Sequence, residues 1–234
     1  MTPAHADLSE GRPHLVVLDV NETLSDLAPM GEAFVEAGLD AGDAEAWFAG
    51  VLRDAFALTA LGDNPGFAEI GGAALRIRLA AAGVADPAAG ARRIMERFAR
   101  LAPHPDVVPG LLALADQGCR IVTLSNGSAD VARALLADTA AGAVVEHYLQ
   151  VAEAGAWKPH SRAYAHALAT TGVEAEQAML VAVHPWDVEG ARRAGLRTAW
   201  INRTGGGYPD HFAPADVEAR SFVELAAALG ASPV

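Results

Sequence analysis

Short apolar runs and longer amphipathic stretches follow one another along this chain. The short runs are rich in β-branched residues and predict strands at 14–18, 120–124, 178–183 and 197–201, with a weaker one at 147–151. Apolar residues recur at helical spacing over 107–117, 128–140, 161–172 and 187–195. Strands that alternate with such helices are typical of right-handed βαβ units. We therefore predict an α/β fold with a doubly wound parallel sheet that is covered on both faces.

The stretch between Leu24 and Pro105 interrupts this alternation. It contains only helical patterns, separated by Gly, Pro and Asp, at 29–38, 42–60, 66–82 and 87–101. An all-helical insertion after the first strand of an α/β core predicts a cap over an active site. We expect residues 1–25 and 105–234 to form the core domain and residues 26–104 to form the helical cap domain.

Composition narrows the class of protein. The 234 residues are 52% apolar and 20% charged, which is typical of a globular protein rather than a disordered one. A net charge of −12 argues against non-specific binding to nucleic acid or to an anionic membrane surface. A single cysteine, Cys119, excludes a disulfide framework, and we expect it to be a small buried side chain. No secretory signal and no run of roughly 18 apolar residues is found, so we expect a cytoplasmic protein.

Polar side chains follow the predicted strands at the points where ligands bind to open parallel sheets. In chain order they are Asp19, Asn21, Glu22 and Thr23, then Ser125, Asn126 and Ser128, then Lys158 and Tyr164, then His184, Trp186 and Asp187. Taken singly, each of these residues also has a purely structural explanation. Ser125, Ser128 or Asp187 could cap the helix that follows it, and Lys158 could be an exposed loop residue. Their recurrence at successive strand ends favours an active site.

These positions resemble the four motifs of the haloacid dehalogenase superfamily. The matching residues are Asp19 in "LDVNETLSD", Ser125 in "TLSNGS", Lys158 in "WKP" and Asp187 in "HPWDVEGARRAGL". The resemblance covers nearly the whole chain and implies a Rossmann-like core with Asp19 as nucleophile. Most members are Mg²⁺-dependent phosphotransferases with a second Asp two positions after the nucleophile. Asn21 occupies that position here, and the fourth motif has one acid instead of a pair, so a phosphatase acting on a small phosphate ester is kept only as an alternative.

The remaining motif residues are similar to those of the L-2-haloacid dehalogenase branch. This resemblance implies metal-independent hydrolysis of short 2-haloalkanoic acids, with fluoroacetate as one candidate. Asp19 would displace halide from carbon, and water would then hydrolyse the aspartyl ester. We accordingly expect no cofactor and no metal, a small halogenated carboxylic acid as the partner, and no nucleic-acid or membrane partner. A homodimer is a further expectation, because such enzymes commonly dimerise.

The resemblance also implies roles for individual residues. Lys158 would keep Asp19 ionised, since a nearby opposite charge favours the charged form. Asn21, Thr23 and Asn126 would orient the nucleophile or line the substrate and halide site, and Ser125 would bind the substrate carboxylate. Tyr164 and Asp187 would complete the polar surroundings of the site, and Trp186 would form an apolar wall.

Departures from this pattern lie close to the expected reaction centre. Glu22 stands where the branch has Gly, and His184 and Ala182 stand where it has Asn and Ser. We hypothesise that Glu22 fixes the tautomer of His184 and that His184 is the general base for the hydrolytic water. The alternative is that Glu22 faces solvent and His184 only packs before Pro185.

The cap arginine that is typical of the branch has no counterpart in this chain. Phe48 stands at its aligned position, and either Arg53 or another cap residue is a candidate to replace it. Two other functions stay open: a ring-opening hydrolase of the azetidine-2-carboxylate type, and a catalytically silent protein that binds a small acid or a partner.

Overall fold

A computed structural model describes residues 12–231, in which a six-stranded parallel sheet forms the centre. The strand order is β3-β2-β1-β4-β5-β6. The strands are β1 (Leu15–Leu18), β2 (Arg120–Ser125), β3 (Val145–Gln150), β4 (Ala178–Ala182), β5 (Arg197–Ile201) and β6 (Val217–Ala219). Every pairing along the sheet is parallel, which confirms the predicted α/β class.

The helices divide into a group between β1 and β2 and a group that follows the later strands. The first group is α1 (Met30–Glu36), α2 (Asp43–Ala60), α3 (Phe67–Ala81) and α4 (Pro87–Phe98). The second group is α5 (Val107–Asp116), α6 (Ala129–Ala137), α7 (Val151–Ala154), α8 (Ser161–Thr171), α9 (Pro185–Arg193) and α10 (Phe222–Gly230). Short 3₁₀ turns cover Ala140–Ala143 and Ala175–Gln177. Along residues 12–231, no helix has both the length and the apolar character needed to cross a membrane.

Burial of β1 on both faces explains its uninterrupted apolar sequence. Successive strand side chains point to opposite faces of a sheet. Leu15 and Val17 accordingly belong to one apolar cluster, and Val16 and Leu18 belong to the other. All four side chains are fully buried, so the strand that carries Asp19 at its end is held rigidly in the middle of the sheet.

The helical insertion returns to the sheet close to the point where it leaves. The Asp26 N–H donates to the carbonyl of Ala102 at 2.9 Å, and the His104 N–H donates to the carbonyl of Leu24 at 2.9 Å. Inside the insertion, Trp47 is buried at the centre of an aromatic cluster. This cluster is continuous with the apolar residues on one face of the sheet. The domain limits at 25/26 and 104/105 stay a prediction.

The apolar pattern of the sequence does not predict the two edge strands correctly. β6 was not predicted, because it has only three residues and its central Glu218 is exposed. β3 begins two residues before the predicted run, since Glu146 and His147 are exposed and interrupt the apolar pattern. Cys119 is buried, as expected.

We predict that Gly190 and Gly50 respond in opposite ways to replacement by alanine. In α9, a Cβ at Gly190 would lie 2.5 Å from Tyr164 Oη and from Pro159 Cβ, whereas in α2 nothing lies within 4 Å of a Cβ at Gly50. Gly190→Ala should therefore lower the free energy of unfolding by about 1–3 kcal/mol. Gly50→Ala should raise it by about 0.5–1 kcal/mol. Urea denaturation measures both, and equal effects at the two sites would contradict the packing described here.

Candidate active site

The polar residues converge where β1 and β4 lie side by side at the centre of the sheet. Asp19 follows β1 and His184 follows β4. From β1 the chain continues outward to β2 and β3 on one side, and from β4 it continues outward to β5 and β6 on the other side. The point between β1 and β4 is therefore a topological switch point, and open α/β sheets bind ligands in the crevice at such a point. Parallel pairing therefore brings residues that are distant in sequence to one point.

A buried lysine joins two of the carboxylates. The Lys158 ammonium donates to Asp19 Oδ1 and to Asp187 Oδ2, at 2.7 Å in each case. Lys158 and Asp187 have no solvent exposure, and Asp19 is 4% exposed. Burial alone would lower the pKa of Lys158, but the two carboxylates outweigh that effect and raise it. The lysine is therefore charged, and it neutralises a site that would otherwise bury bare negative charge.

Neighbouring polar groups fix both ends of this arrangement. The Asn126 side chain accepts from the Lys158 N–H at 2.9 Å and donates to the Lys158 carbonyl at 3.3 Å. Tyr164 donates its hydroxyl to a carboxylate oxygen of Asp187. Burial, together with the charge of Asp187, raises the pKa of Tyr164 well above 10, so the phenol keeps its proton as a donor. Asn126 thus positions the lysine backbone, and Tyr164 positions the second acid.

The second oxygen of Asp19 faces a hydroxyl and an imidazole. Thr23 Oγ1 donates to Asp19 Oδ2 at 2.6 Å, and His184 Nδ1 lies 3.2 Å from the same oxygen. The Thr23 hydroxyl also accepts from the Val183 N–H at 3.0 Å, which links the ends of β1 and β4. Burial disfavours the charged form of Asp19, but Lys158 and His184 outweigh it and hold the pKa of this carboxyl far below its usual range. Asp19 is consequently an ionised carboxylate in a nearly dry setting.

Glu22 lies on the other side of the imidazole. His184 Nε2 is 2.7 Å from Glu22 Oε2, so the ring bridges Asp19 and Glu22. Glu22 has a backbone φ of 62°, the left-handed region in which residues other than glycine are strained by about 1–2 kcal/mol. Within residues 12–231 it is the one non-glycine residue with a positive φ. This strained backbone holds the glutamate carboxylate against His184.

The two carboxylates change the protonation of His184. Burial would lower its pKa, but the hydrogen bonds and the charges of Asp19 and Glu22 outweigh burial and raise the pKa to about 9. His184 is therefore an imidazolium at neutral pH while Asp19 is ionised. Negative and positive groups alternate along a line of contacts that runs through Glu22, His184, Asp19, Lys158 and Asp187. This alternation lets several charged side chains share one small volume.

A cavity of about 490 Å³ opens beside these charges. Its floor is lined by Asn21, Ser125 and Asn126, and by the loop that leads into α6. The side facing the insertion is largely apolar and is formed by Phe67, Met95, Phe98 and Trp157. The Ser125 hydroxyl accepts from the Gly127 N–H at 2.9 Å, while Ser128 caps α6 by accepting from the Asp130 N–H at 3.1 Å. The cavity therefore combines a polar floor with an apolar roof.

Aromatic rings from the insertion and from α9 enclose the imidazole. The ring of Trp186 is stacked with that of His184 at a centroid distance of 4.9 Å, and the ring of Phe48 is stacked with it at 6.3 Å. The structure thus brings Phe48 to the site. It does not bring Arg53 there: this side chain is 76% exposed, pairs with Asp54 and lines a different cavity. Five residues along a helix rotate a side chain by about 140°, so Arg53 points away when Phe48 points in.

The structure adds Trp157, Arg92 and His104 to the residues near the site. Trp157 adjoins the lysine motif, and its ring N–H donates to the Pro65 carbonyl at 2.9 Å. Arg92 on α4 contributes the positive side chain among the lining residues of the cavity, and His104 contacts the Glu22 carbonyl at 3.2 Å. Trp157 could have been predicted to lie near the site, because it directly precedes Lys158 in the sequence. Nothing in the local pattern distinguishes Arg92 or His104 from other surface residues.

The carboxylates of the site are already engaged by a cation of the chain. Mg²⁺ prefers hard oxygen ligands such as carboxylates. Asp19 and Asp187, the two buried carboxylates of the site, each already accept from the Lys158 ammonium. Over the described residues, no three His, Cys, Asp or Glu side chains are grouped so that they could hold a metal ion.

Comparison with known proteins places this architecture in a family. A model of the haloacid dehalogenase-like hydrolases matches residues 13–195. The chain belongs to the haloacid dehalogenase-like hydrolase family. The match includes β1, all four helices of the insertion, and α9 with Asp187.

Relatives within the family include proteins named for dehalogenation. Haloacetate dehalogenase H-2 of Moraxella sp. (strain B) is 37% identical over 115 residues, which is 49% of this chain and 51% of that protein. (S)-2-haloacid dehalogenase H-109 of Pseudomonas putida is 26% identical over 212 residues, which is 90% of this chain and 95% of that protein. A solved structure of a dehalogenase with an intermediate complex superposes with a TM-score of 0.86 at 25% identity, covering 95% of this chain and 99% of that one.

We predict that stability falls in alkaline solution through His184. Its pKa rises from 6.5 to about 9 on folding, so the folded chain holds the proton more tightly than the unfolded chain does. The stabilisation by the His184 proton is complete below pH 6.5 and is lost as the pH rises through about 9. We expect a loss of up to about 3 kcal/mol in the free energy of unfolding. Urea denaturation at several pH values measures it, and an equally steep loss in His184→Asn would show that another group is responsible.

Proposed function

We propose that this chain hydrolyses the carbon–halogen bond of short 2-haloalkanoic acids, with L-2-haloacids as the main class and fluoroacetate as a candidate. The observation that carries the proposal is the ionised Asp19 carboxylate, held by Lys158 on one oxygen and by Thr23 on the other, beside a cavity with a polar floor. The names of two relatives, haloacetate dehalogenase and (S)-2-haloacid dehalogenase, support the same chemistry.

In the first step, a carboxylate oxygen of Asp19 attacks the carbon that bears the halogen. A carbon–oxygen bond forms while the carbon–halogen bond breaks, and halide leaves with the electron pair. The far-lowered pKa of Asp19 keeps it unprotonated, so the attack needs no base. The substrate carboxylate would rest on Ser125 and Asn126, near the N-terminus of α6, where the helix dipole favours an anion.

In the second step, water attacks the carbonyl carbon of the Asp19 ester. Esterification removes the negative charge of Asp19, one of the groups that raise the pKa of His184. The imidazolium can then release its proton and become a base next to the ester. It takes one proton from the water as the water oxygen bonds to the carbonyl carbon. The bond between that carbon and the alkyl-bearing oxygen then breaks, the alcohol leaves with the second proton of the water, and Asp19 is again a carboxylate. We propose that Glu22 positions His184 through the 2.7 Å contact, and that Phe48 and Trp186 hold the ring in place.

A halide-release panel tests the activity itself. We expect halide release in EDTA from chloroacetate, from fluoroacetate and from one enantiomer of 2-chloropropionate, because the nucleophile and the base are side chains of this chain. A phosphate ester with Mg²⁺ runs in parallel. Phosphate release without any halide release would replace this proposal with a phosphatase.

Removal of the base should separate the two steps. His184→Ala should still be alkylated on Asp19, but hydrolysis of the ester should slow by about 10²–10⁴-fold, the usual contribution of a general base. Intact-mass spectrometry would then detect the adduct, with halide released in a burst of one equivalent. Asp19→Asn is the matched control and should form no adduct. Normal turnover by His184→Ala without an adduct would exclude the histidine as base.

A further inference from the structure

A second cavity reaches Glu22 and His184. This cavity, of about 380 Å³, is open to solvent and shares no lining residue with the 490 Å³ cavity. It lies between the loop after β1 and the loops after β4 and β5. Two outer positions on its wall are Ala28 and Thr204, both of which are exposed.

Polar and charged residues make up seven of the twelve residues that line this second cavity. They are Glu22, His184, Asp26, His104, Asn202, Arg203 and Thr204, and the apolar ones are Leu27, Ala28, Val183, Trp200 and Ile201. A cavity holds water when it is polar and larger than a single water requires, and this cavity is many times that volume. The Glu22 side chain is 38% exposed, whereas that of His184 is 13% exposed. The glutamate is therefore the more solvent-exposed of the two groups.

The proposed reaction creates a need for such a route. In the proposed first step the substrate approaches Asp19 from the 490 Å³ cavity, whose lining includes Asn21, Ser125 and Asn126, so the alkyl group of the ester would lie on that side. Hydrolysis still requires one water, and the whole reaction releases one proton: R–X + H₂O gives R–OH, X⁻ and H⁺. That proton leaves His184 once Asp19 has lost its charge. A path through the first cavity would lead past the bound ester.

We propose that the second cavity supplies the hydrolytic water and carries away the proton, so that substrate and water reach the centre from different sides. Glu22 keeps the Nε2 proton of His184 in their 2.7 Å contact, so the proton that passes to water in the cavity is the one on Nδ1, the nitrogen that lies 3.2 Å from Asp19. The left-handed backbone of Glu22 is what places its carboxylate between the imidazole and this solvent. The inference rests on the proposed dehalogenase function and extends it by assigning one cavity to each half of the reaction.

Obstruction of each cavity with tryptophan tests the assignment. Ala28→Trp and Thr204→Trp, singly and combined, narrow the second cavity, and Ala68→Trp on α3 narrows the first. In the combined variant we expect kcat to fall by about tenfold or more. The Asp19 ester should accumulate at steady state by intact mass, while the rate of the first halide burst stays at the wild-type value. Ala68→Trp should instead slow the burst and lower kcat/KM without accumulating ester.

Leu61→Trp is the matched control, because this residue is 79% exposed and lines neither cavity. It should behave like the wild type. All the substituted positions are exposed, and urea denaturation verifies that each variant is folded. Wild-type kcat and no ester in the combined variant would overturn the route, as would equal ester accumulation in Ala68→Trp. Absence of halide release from the wild type would instead remove the proposed function, so the two failures are distinguishable.

Discussion

Lys158 brings its ammonium into the interior with no solvent exposure, where it lies 2.7 Å from a carboxylate oxygen of Asp19 and 2.7 Å from one of Asp187. Loss of one partner from a buried ion pair leaves an uncompensated charge, at a cost of about 3–5 kcal/mol. The rest of the site keeps these three charges together: Asn126 holds the lysine backbone and Tyr164 holds Asp187. Because these residues follow different strands, the parallel sheet is what brings the three charges to one point.

His184 and Glu22 extend the cluster toward solvent. The imidazole bridges Asp19 and Glu22, and its raised pKa depends on the charges of both. The protonation of His184 is thus coupled to the charge of Asp19, which is the property that the proposed second step needs. The contact between Glu22 and His184 also explains the strained backbone at Glu22, because local strain persists where the surrounding contacts hold the residue in place.

The helical insertion contributes mainly aromatic rings at the site, together with the charged side chains of Arg92 and Glu96 on α4. Its aromatic rings form part of the apolar side of the 490 Å³ cavity, and Phe48 lies against His184. Phe48 also packs against Trp47, Phe67 and Phe98, so the position at which the sequence resemblance would place an arginine is part of an apolar cluster here. A cation at that position would lie among rings and next to an imidazolium. Recognition of the substrate anion accordingly falls to the polar floor of the cavity in our proposal.

The sequence by itself determined the parallel sheet, the helical insertion and the convergence of Asp19, Ser125, Lys158, His184 and Asp187, because strand and helix periods are local and parallel strands end at one edge. It also suggested that Glu22 and His184 form a pair. Only the tertiary structure decided which face of α2 points inward, and hence that Phe48 and not Arg53 lies at the site. The positions of Arg92 and His104, and the separation of the two cavities, were likewise decided by tertiary packing. These features depend on how elements distant in sequence pack together, and no local pattern of residues encodes that packing.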